Sequence, residues 1–310
     1  MTAPRDPAGI AAAEEASLLG LAPVAPDATA AYGEHPDQVV DFHLPPTGAA
    51  GGPAPLVLLF HGGAWRAPYD RGHLSPFAAH LAARGFAVAS AEYRRGTSPH
   101  PPAPPGTGAP GAGRWPETFD DVAAVVDAVP RLVRERALPG VDTERLVLVG
   151  HSAGGHAALW AAARHRLPPG SRWRLSAPPR VHGVVALAPI ADLTTARALR
   201  VCSDAVDQLL GTGEEGAARL PFVDPAALLP TGVPTTLVQG GTDVDVPPQV
   251  ADSFAAAAAA ARQPPRVVRL AAAGHFPLID PTAPAVRTVV AEIARLARGT
   301  DLASEDPDVR

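Results

Sequence analysis

Residues 145–160, RLVLVGHSAGGHAALW, decide how the rest of the chain is read. An apolar run from Leu146 to Val149 stops at Gly150, His151 and Ser152, then passes Gly154 and Gly155 into an alanine-rich segment. Packing alone requires no hydroxyl at such a corner. Gly150-His151-Ser152-Ala153-Gly154 fits G-x-S-x-G, set between a predicted strand at 145–150 and a predicted helix at about 153–164. The glycines allow a sharp backbone turn without a Cβ clash. They lift Ser152 above the carboxyl edge of a sheet, at a helix N-terminus whose partial positive charge favours developing negative charge. Ser152 is the candidate nucleophile, with a structural turn serine as the competing reading.

A serine hydroxyl is a weak nucleophile and needs a base held by an acid. In a strand–helix architecture these partners follow in the order acid, then histidine, each on a loop after a strand. GGTDVDVPP follows the predicted strand TTLVQG (235–240), and AGHFPLIDP follows RVVRLAA. Asp243 and His275 are therefore the candidate acid and base, with Asp245 and Asp192 as alternative acids. His61, His151 and His156 lie within other motifs, and none follows the last strand. The third requirement is an oxyanion hole. Phe60-His61-Gly62-Gly63-Ala64-Trp65 directly follows a short apolar strand, PLVLLF (55–60). Backbone N–H groups of Gly62 or Gly63, together with that of Ala153, are placed to bind the charge of a tetrahedral intermediate.

The remaining pattern is a strand–helix alternation. Strands are expected at 37–46, 86–93, 181–190 and 266–274, and helices at 74–85, 117–136, 248–262 and 282–298. This rhythm predicts an α/β class, with a mostly parallel sheet and helices on both faces. One domain is expected over 31–299, with a small cap at 192–230 above the sheet. Residues 1–30 read as a loose Ala/Pro-rich leader, the Pro/Gly-rich 96–113 as an exposed loop, and 300–310 as a frayed polar tail.

The chain has 310 residues and a formal charge of −5, a weak acidic balance that gives no reason to expect nucleic acid as a partner. All 26 basic residues are arginine. The single cysteine, Cys202, excludes an internal disulfide and fits a reducing compartment. No basic stretch leads into an apolar run near Glu14 and Glu15, and no uninterrupted apolar stretch approaches the ~18 residues of a membrane helix. A cytoplasmic location, away from membranes, is the expectation. The histidines lack metal-ligand spacing, so neither a metal nor a cofactor is expected. GTGEEG (211–216) reads as a solvated loop.

The motifs EYRRG, WPETFDDV, HGGAW, GHSAGGHAALW, GGTDVDVPP and AGHFPLIDP together resemble an α/β-hydrolase of the esterase/lipase type with an H-G-G-x-W loop, over most of residues 32–285. Within that group the chain is similar to kynurenine formamidase (arylformamidase)-like proteins and to small-acyl carboxylesterases. The resemblance implies Ser152, Asp243 and His275 as a triad. It departs from formamidases at Gly155, where alanine is expected, and in the insert at 96–113.

Trp65 and His61 are candidate pocket residues, with packing against the loop the alternative for Trp65. Glu92, Tyr93 and Arg94 read as an internal ion-pair group beneath that loop, and His151 and His156 as packing residues. The expectation is a serine hydrolase acting on a small-molecule ester or N-formyl arylamide. A peptidase of the same fold and a non-catalytic ligand-binding protein are the alternatives.

Overall fold

The computed structural model describes residues 6–46, 52–96, 112–136 and 138–299. In chain order the elements are α1 (Pro7–Leu19), β1 (Ala28–Ala31), β2 (Val39–His43), β3 (Ala54–Phe60), α2 (Ser75–Ala82), β4 (Ala87–Ala91), α3 (Glu117–Glu135), β5 (Val141–His151) and α4 (Ala153–Ala162). There follow β6 (Gly183–Leu187), α5 (Leu193–Ala198), α6 (Val201–Leu210), α7 (Gly213–Arg219), β7 (Thr235–Gly240), α8 (Pro248–Ala260), β8 (Arg266–Leu270) and α9 (Ala285–Ala297). The strands form one eight-stranded sheet in the order β1-β2-β4-β3-β5-β6-β7-β8. β1 and β2 run antiparallel at one edge, and β4 through β8 are joined by parallel pairings. This is the α/β-hydrolase fold.

The central strands are continuous apolar runs because both faces of the sheet are covered. Leu56, Leu58 and Phe60 of β3 and Leu146 and Leu148 of β5 join a core shared with Phe119 and Val122 of α3 and with α4. The alternate residues Val57, Leu59, Val147 and Val149 face the other way, into a core built with Phe77 of α2 and Val289 and Ile293 of α9. α4 is buried along its whole length, as a helix apolar on every side must be. The carboxyl ends of β5, β7 and β8 open on the same edge of the parallel sheet, and the loops after them carry the candidate site residues.

The chain between β6 and β7 holds α5, α6 and α7 and no strand. α7 covers most of GTGEEG, so this segment is a helix start and not the expected loop. Glu214 and Glu215 in its first turn favour the positive end of the helix.

The expected loose leader is corrected too. Residues 7–19 form α1, capped by the Asp6 side chain on Ala8 N, with Pro7 in the first turn where its missing N–H costs nothing. Leu18 of α1 is buried in the α2/α9 core, and Ser17 Oγ donates to Asp280 Oδ2 at 2.8 Å. Proline read as a loop signal is here a helix start. The expected loop at 96–113 lies outside the described residues from 97 to 111, as does the expected tail at 300–310.

Candidate active site

The elbow forms because β5 has to deliver its last residue straight into α4. Ser152 takes φ 57° and ψ −118°, a conformation that non-glycine residues rarely adopt. Its backbone is held on both sides, with Ser152 N donating to Leu187 O at 2.9 Å and Ile190 N donating to Ser152 O at 3.2 Å. Gly154 permits the close approach of the first turn of α4 to the end of β3. A Cβ there would collide with the carbonyl oxygens of Phe60 and His61. Strain at Ser152 is thus fixed by two strands and a glycine.

His275 lies on the loop after β8, and its Nδ1–H donates to Asp243 Oδ2 at 2.7 Å. Asp243 is held in turn: its Oδ1 accepts from the backbone N–H groups of Asp245 and Val246, both at 2.9 Å. Gln239 Nε2 donates to Oδ2 at 3.3 Å. Burial works against an imidazolium at His275. The Asp243 carboxylate, aided by Asp245 and Glu14, outweighs burial and raises the ring above the ordinary histidine value. Asp245 is not the partner of the ring. Asp192 caps α5 through Thr195 N at 2.8 Å and accepts from Ser253 Oγ of α8, so it is spent away from His275.

Ser152 and His275 line one cavity of about 190 Å³, together with Gly63, Ala64, Arg66, Tyr69, His151 and Asp245 among others. No hydrogen bond joins Ser152 Oγ to His275. Gly63, at φ 97°, brings the loop backbone against Tyr69, where a Cβ would collide with the tyrosine side chain. Gly62 packs on the elbow, since a Cβ on it would sit 3.1 Å from Ser152 Cβ. Of the candidate oxyanion donors, Gly62 packs on the elbow, Gly63 lines the cavity with Ser152, and Ala153 follows Ser152 as the first residue of α4.

His61 and Trp65 do not face this cavity, contrary to the sequence expectation. His61 is fully buried, with Nε2 2.8 Å from Glu92 Oε1, and its ring stacks on Tyr93 at 4.3 Å. Trp65 is buried edge-on against His156 at 5.3 Å, and its carbonyl accepts from Gly96 N and Gly113 N. Both residues shape the loop from beneath because its positive-φ turn at Ala64 and Trp65 turns their side chains into the core.

Glu92 anchors the same loop. Burial would raise its carboxyl, but His61, Arg95 and the Arg71 N–H hold it down at about 2. Tyr93 donates its hydroxyl to His61 O at 2.7 Å, and Arg94 pairs with Asp121 through two bonds of 2.7 and 2.8 Å.

Two contacts that hold His275 were not read from the sequence, one from His151, which was read as a packing residue, and one from Glu14. His151 donates Nε2–H to the His275 carbonyl at 3.1 Å, and its ring lies 4.3 Å from that of His275. Burial drives His151 well below the ordinary histidine range, so it is a neutral donor that fixes the base's backbone. Glu14 of α1 accepts from Gly274 N at 3.0 Å, directly before His275. The G-H-S motif carried the signal for His151; nothing in the local sequence marks Glu14.

Among the described residues, Asp243, Asp245 and His275 bring ligand-type atoms within 4.8 Å of one another. His275 Nδ1 and both Asp243 oxygens already serve the hydrogen bonds above, so a cation there would compete with the acid–base pair. No helix among the described residues is long and apolar enough to cross a membrane.

A model of the BD-FAE family matches residues 40–257. Dipeptidyl aminopeptidase BIII from Pseudoxanthomonas mexicana is 38% identical over 118 residues, covering 36% of this chain, and the chain spans only 15% of that protein's length. Esterase B from Lactobacillus rhamnosis, in an inhibited crystal form, superposes with a TM-score of 0.67 at 18% identity over 94% of this chain and 93% of its own. Butyrate-bound esterase 2 from Thermogutta terrifontis superposes at 0.60 with 19% identity over 90% and 96%. At these identities the structural likeness concerns the fold, and the sequence match over 40–257 is what assigns the chain to the BD-FAE family.

Proposed function

We propose that the protein is a serine hydrolase that cleaves a small carboxylic ester or an N-formyl arylamide through an acyl-enzyme on Ser152. The observation that carries this reading is the buried 2.7 Å Asp243–His275 bond at the wall of the cavity that Ser152 lines. His275 takes the serine proton as Oγ attacks the carbonyl, and Asp243 stabilises the resulting imidazolium. N–H groups of Gly62 or Gly63 and of Ala153 receive the oxyanion. His275 returns the proton to the leaving group and then activates water to release the acid. A cavity of about 190 Å³ supports a small substrate, since drug-sized ligands occupy roughly 300–1,000 Å³. Family membership and the esterases that share the fold support the ester reading.

The test compares wild type and Ser152→Ala on p-nitrophenyl acetate and N-formylkynurenine. A loss of about 10⁴-fold or more in the variant is expected, and the ratio of the two substrates separates esterase from formamidase. The matched stretch of the aminopeptidase favours a second reading, a peptidase, which dipeptidyl p-nitroanilides test directly. Failure of a fluorophosphonate to label Ser152, with no turnover, returns the protein to a ligand-binding role.

A further inference from the structure

The cavity beside Ser152 is lined by charged side chains other than those of the candidate triad. Arg66 follows the H-G-G-A-W loop and reaches the cavity wall. Its Nη2 donates to three neutral acceptors, Cys202 O at 2.7 Å, Ser203 O at 3.3 Å and Gln208 Oε1 at 3.2 Å. Its Nε is buried without a partner, and no carboxylate pairs with it among the described residues. Across the same cavity, Asp245 Oδ2 is also buried without a partner. Its backbone N–H is spent on Asp243, and burial, only partly offset by His275, raises its carboxyl. Glu15 of α1 adds a second carboxylate to the wall, with Oε1 accepting from Tyr69 Oη at 2.9 Å. A guanidinium and a carboxylate thus face one small space, do not bond each other, and each keeps an orphaned polar atom. A ligand carrying the opposite charges would give these two lining residues ionic partners that the described residues do not supply.

Resting on the serine-esterase reading above, we propose that the cavity recognises an ester whose alcohol carries an α-amino-acid head group, its carboxylate held by Arg66 and its ammonium by Asp245 and Glu15. Asp245 lines the cavity together with His275, the group that would protonate the leaving oxygen, and the proposal places the head group on the leaving side. Oγ of Ser152 bonds the acyl carbon as the acyl–oxygen bond breaks, and the serine proton passes through His275 to the amino-acid hydroxyl. Water then releases the acid and restores Ser152.

Four acetates of matched length test this. O-acetyl-L-homoserine carries both charges, 4-acetoxybutanoate the carboxylate, 3-aminopropyl acetate the ammonium, and isoamyl acetate neither. Wild type is expected to prefer the zwitterion to isoamyl acetate by about tenfold or more in kcat/KM. Arg66→Gln should lower that ratio by about tenfold and remove the benefit of the carboxylate-only ester, with partial rescue in Arg66→Lys. Asp245→Asn should remove the benefit of the ammonium-only ester. Equal rates on all four esters overturn the proposal. So does a uniform loss on all four in Arg66→Gln, because Arg66 would then only clamp residues 202–208. The parent reading is judged separately, by fluorophosphonate labelling of Ser152. If turnover is absent, calorimetry of L-homoserine against Ser152→Ala decides: measurable binding supports the recognition, and none overturns it.

Discussion

The elbow around Ser152 and the N-terminal helix α1 both border the cavity, but different forces hold them there. The elbow is held by its own backbone: a φ of 57° at Ser152, backbone bonds to Leu187 at the end of β6 and to Ile190 just after it, and a glycine where no side chain fits. α1 is held by long-range contacts of its side chains: Leu18 in the α2/α9 core, Ser17 on Asp280, Glu14 on Gly274 N and Glu15 on Tyr69 Oη. A residue type is obligatory in the first region. In the second, one leucine and three polar side chains settle the position of thirteen residues.

The comparison breaks most sharply at Gly154. Gly154→Ala puts a Cβ into the carbonyl oxygens of Phe60 and His61, backbone atoms that cannot rotate away. We expect loss of nearly all activity and destabilisation of about 3 kcal/mol or more, read from urea unfolding and ester turnover. An active, stable Gly154→Ala would mean that the elbow tolerates relaxation and is not backbone-determined.

Acid should find the elbow side first. His156 is fully buried with Nε2 donating to Val223 O, and burial lowers it to about 4; burial, helped by the His61 charge, also lowers His73 to about 4. Burial and the charge of His275 push His151 lower still than its ordinary value. These rings stay neutral in the fold while the unfolded chain binds protons below about pH 6.5, so their stability contribution is present above that pH and is lost as pH falls. For His156 the loss is on the order of 3 kcal/mol by about pH 4. Thermal melts should fall between about pH 6.5 and 4. Melts unchanged across that window would show that the rings are not held neutral.

α1 should yield less. Leu18→Ala removes its buried anchor, at a cost of about 2–3 kcal/mol in urea unfolding, with activity falling in step if α1 loosens from the His275 loop. A change under about 0.5 kcal/mol would mean that the polar contacts alone dock the helix.

These contrasts explain what could be read in advance. The apolar runs of β3, β5 and β7, the G-x-S-x-G corner and the loop positions of Asp243 and His275 follow from local periodicity and strict backbone demands. α1 shows no apolar stripe, and its alanines and prolines fit a helix and a loose segment equally well. The inward turn of His61 and Trp65 depends on positive φ at Ala64 and Trp65, which no glycine or asparagine announces. β1, the four residues Ala28–Ala31, is a strand because β2 offers it an edge, not because alanine and threonine demand one.

The finest test separates α1's charge from its position. Glu14→Gln keeps an acceptor for Gly274 N but removes the carboxylate that helps to raise His275. A negative charge near His275 favours its imidazolium, so removing it lowers the pKa of the ring. Hydrolysis needs the neutral ring, and the acid limb of the kcat/KM profile should move to lower pH by a few tenths of a unit, with the plateau nearly intact. Burial already raises Glu14, so its charge is itself lost as pH falls, and the shift should be largest where Glu14 is still ionised. An unmoved limb with a lowered plateau would mean that α1 acts on the base through geometry alone, as the elbow acts on Ser152.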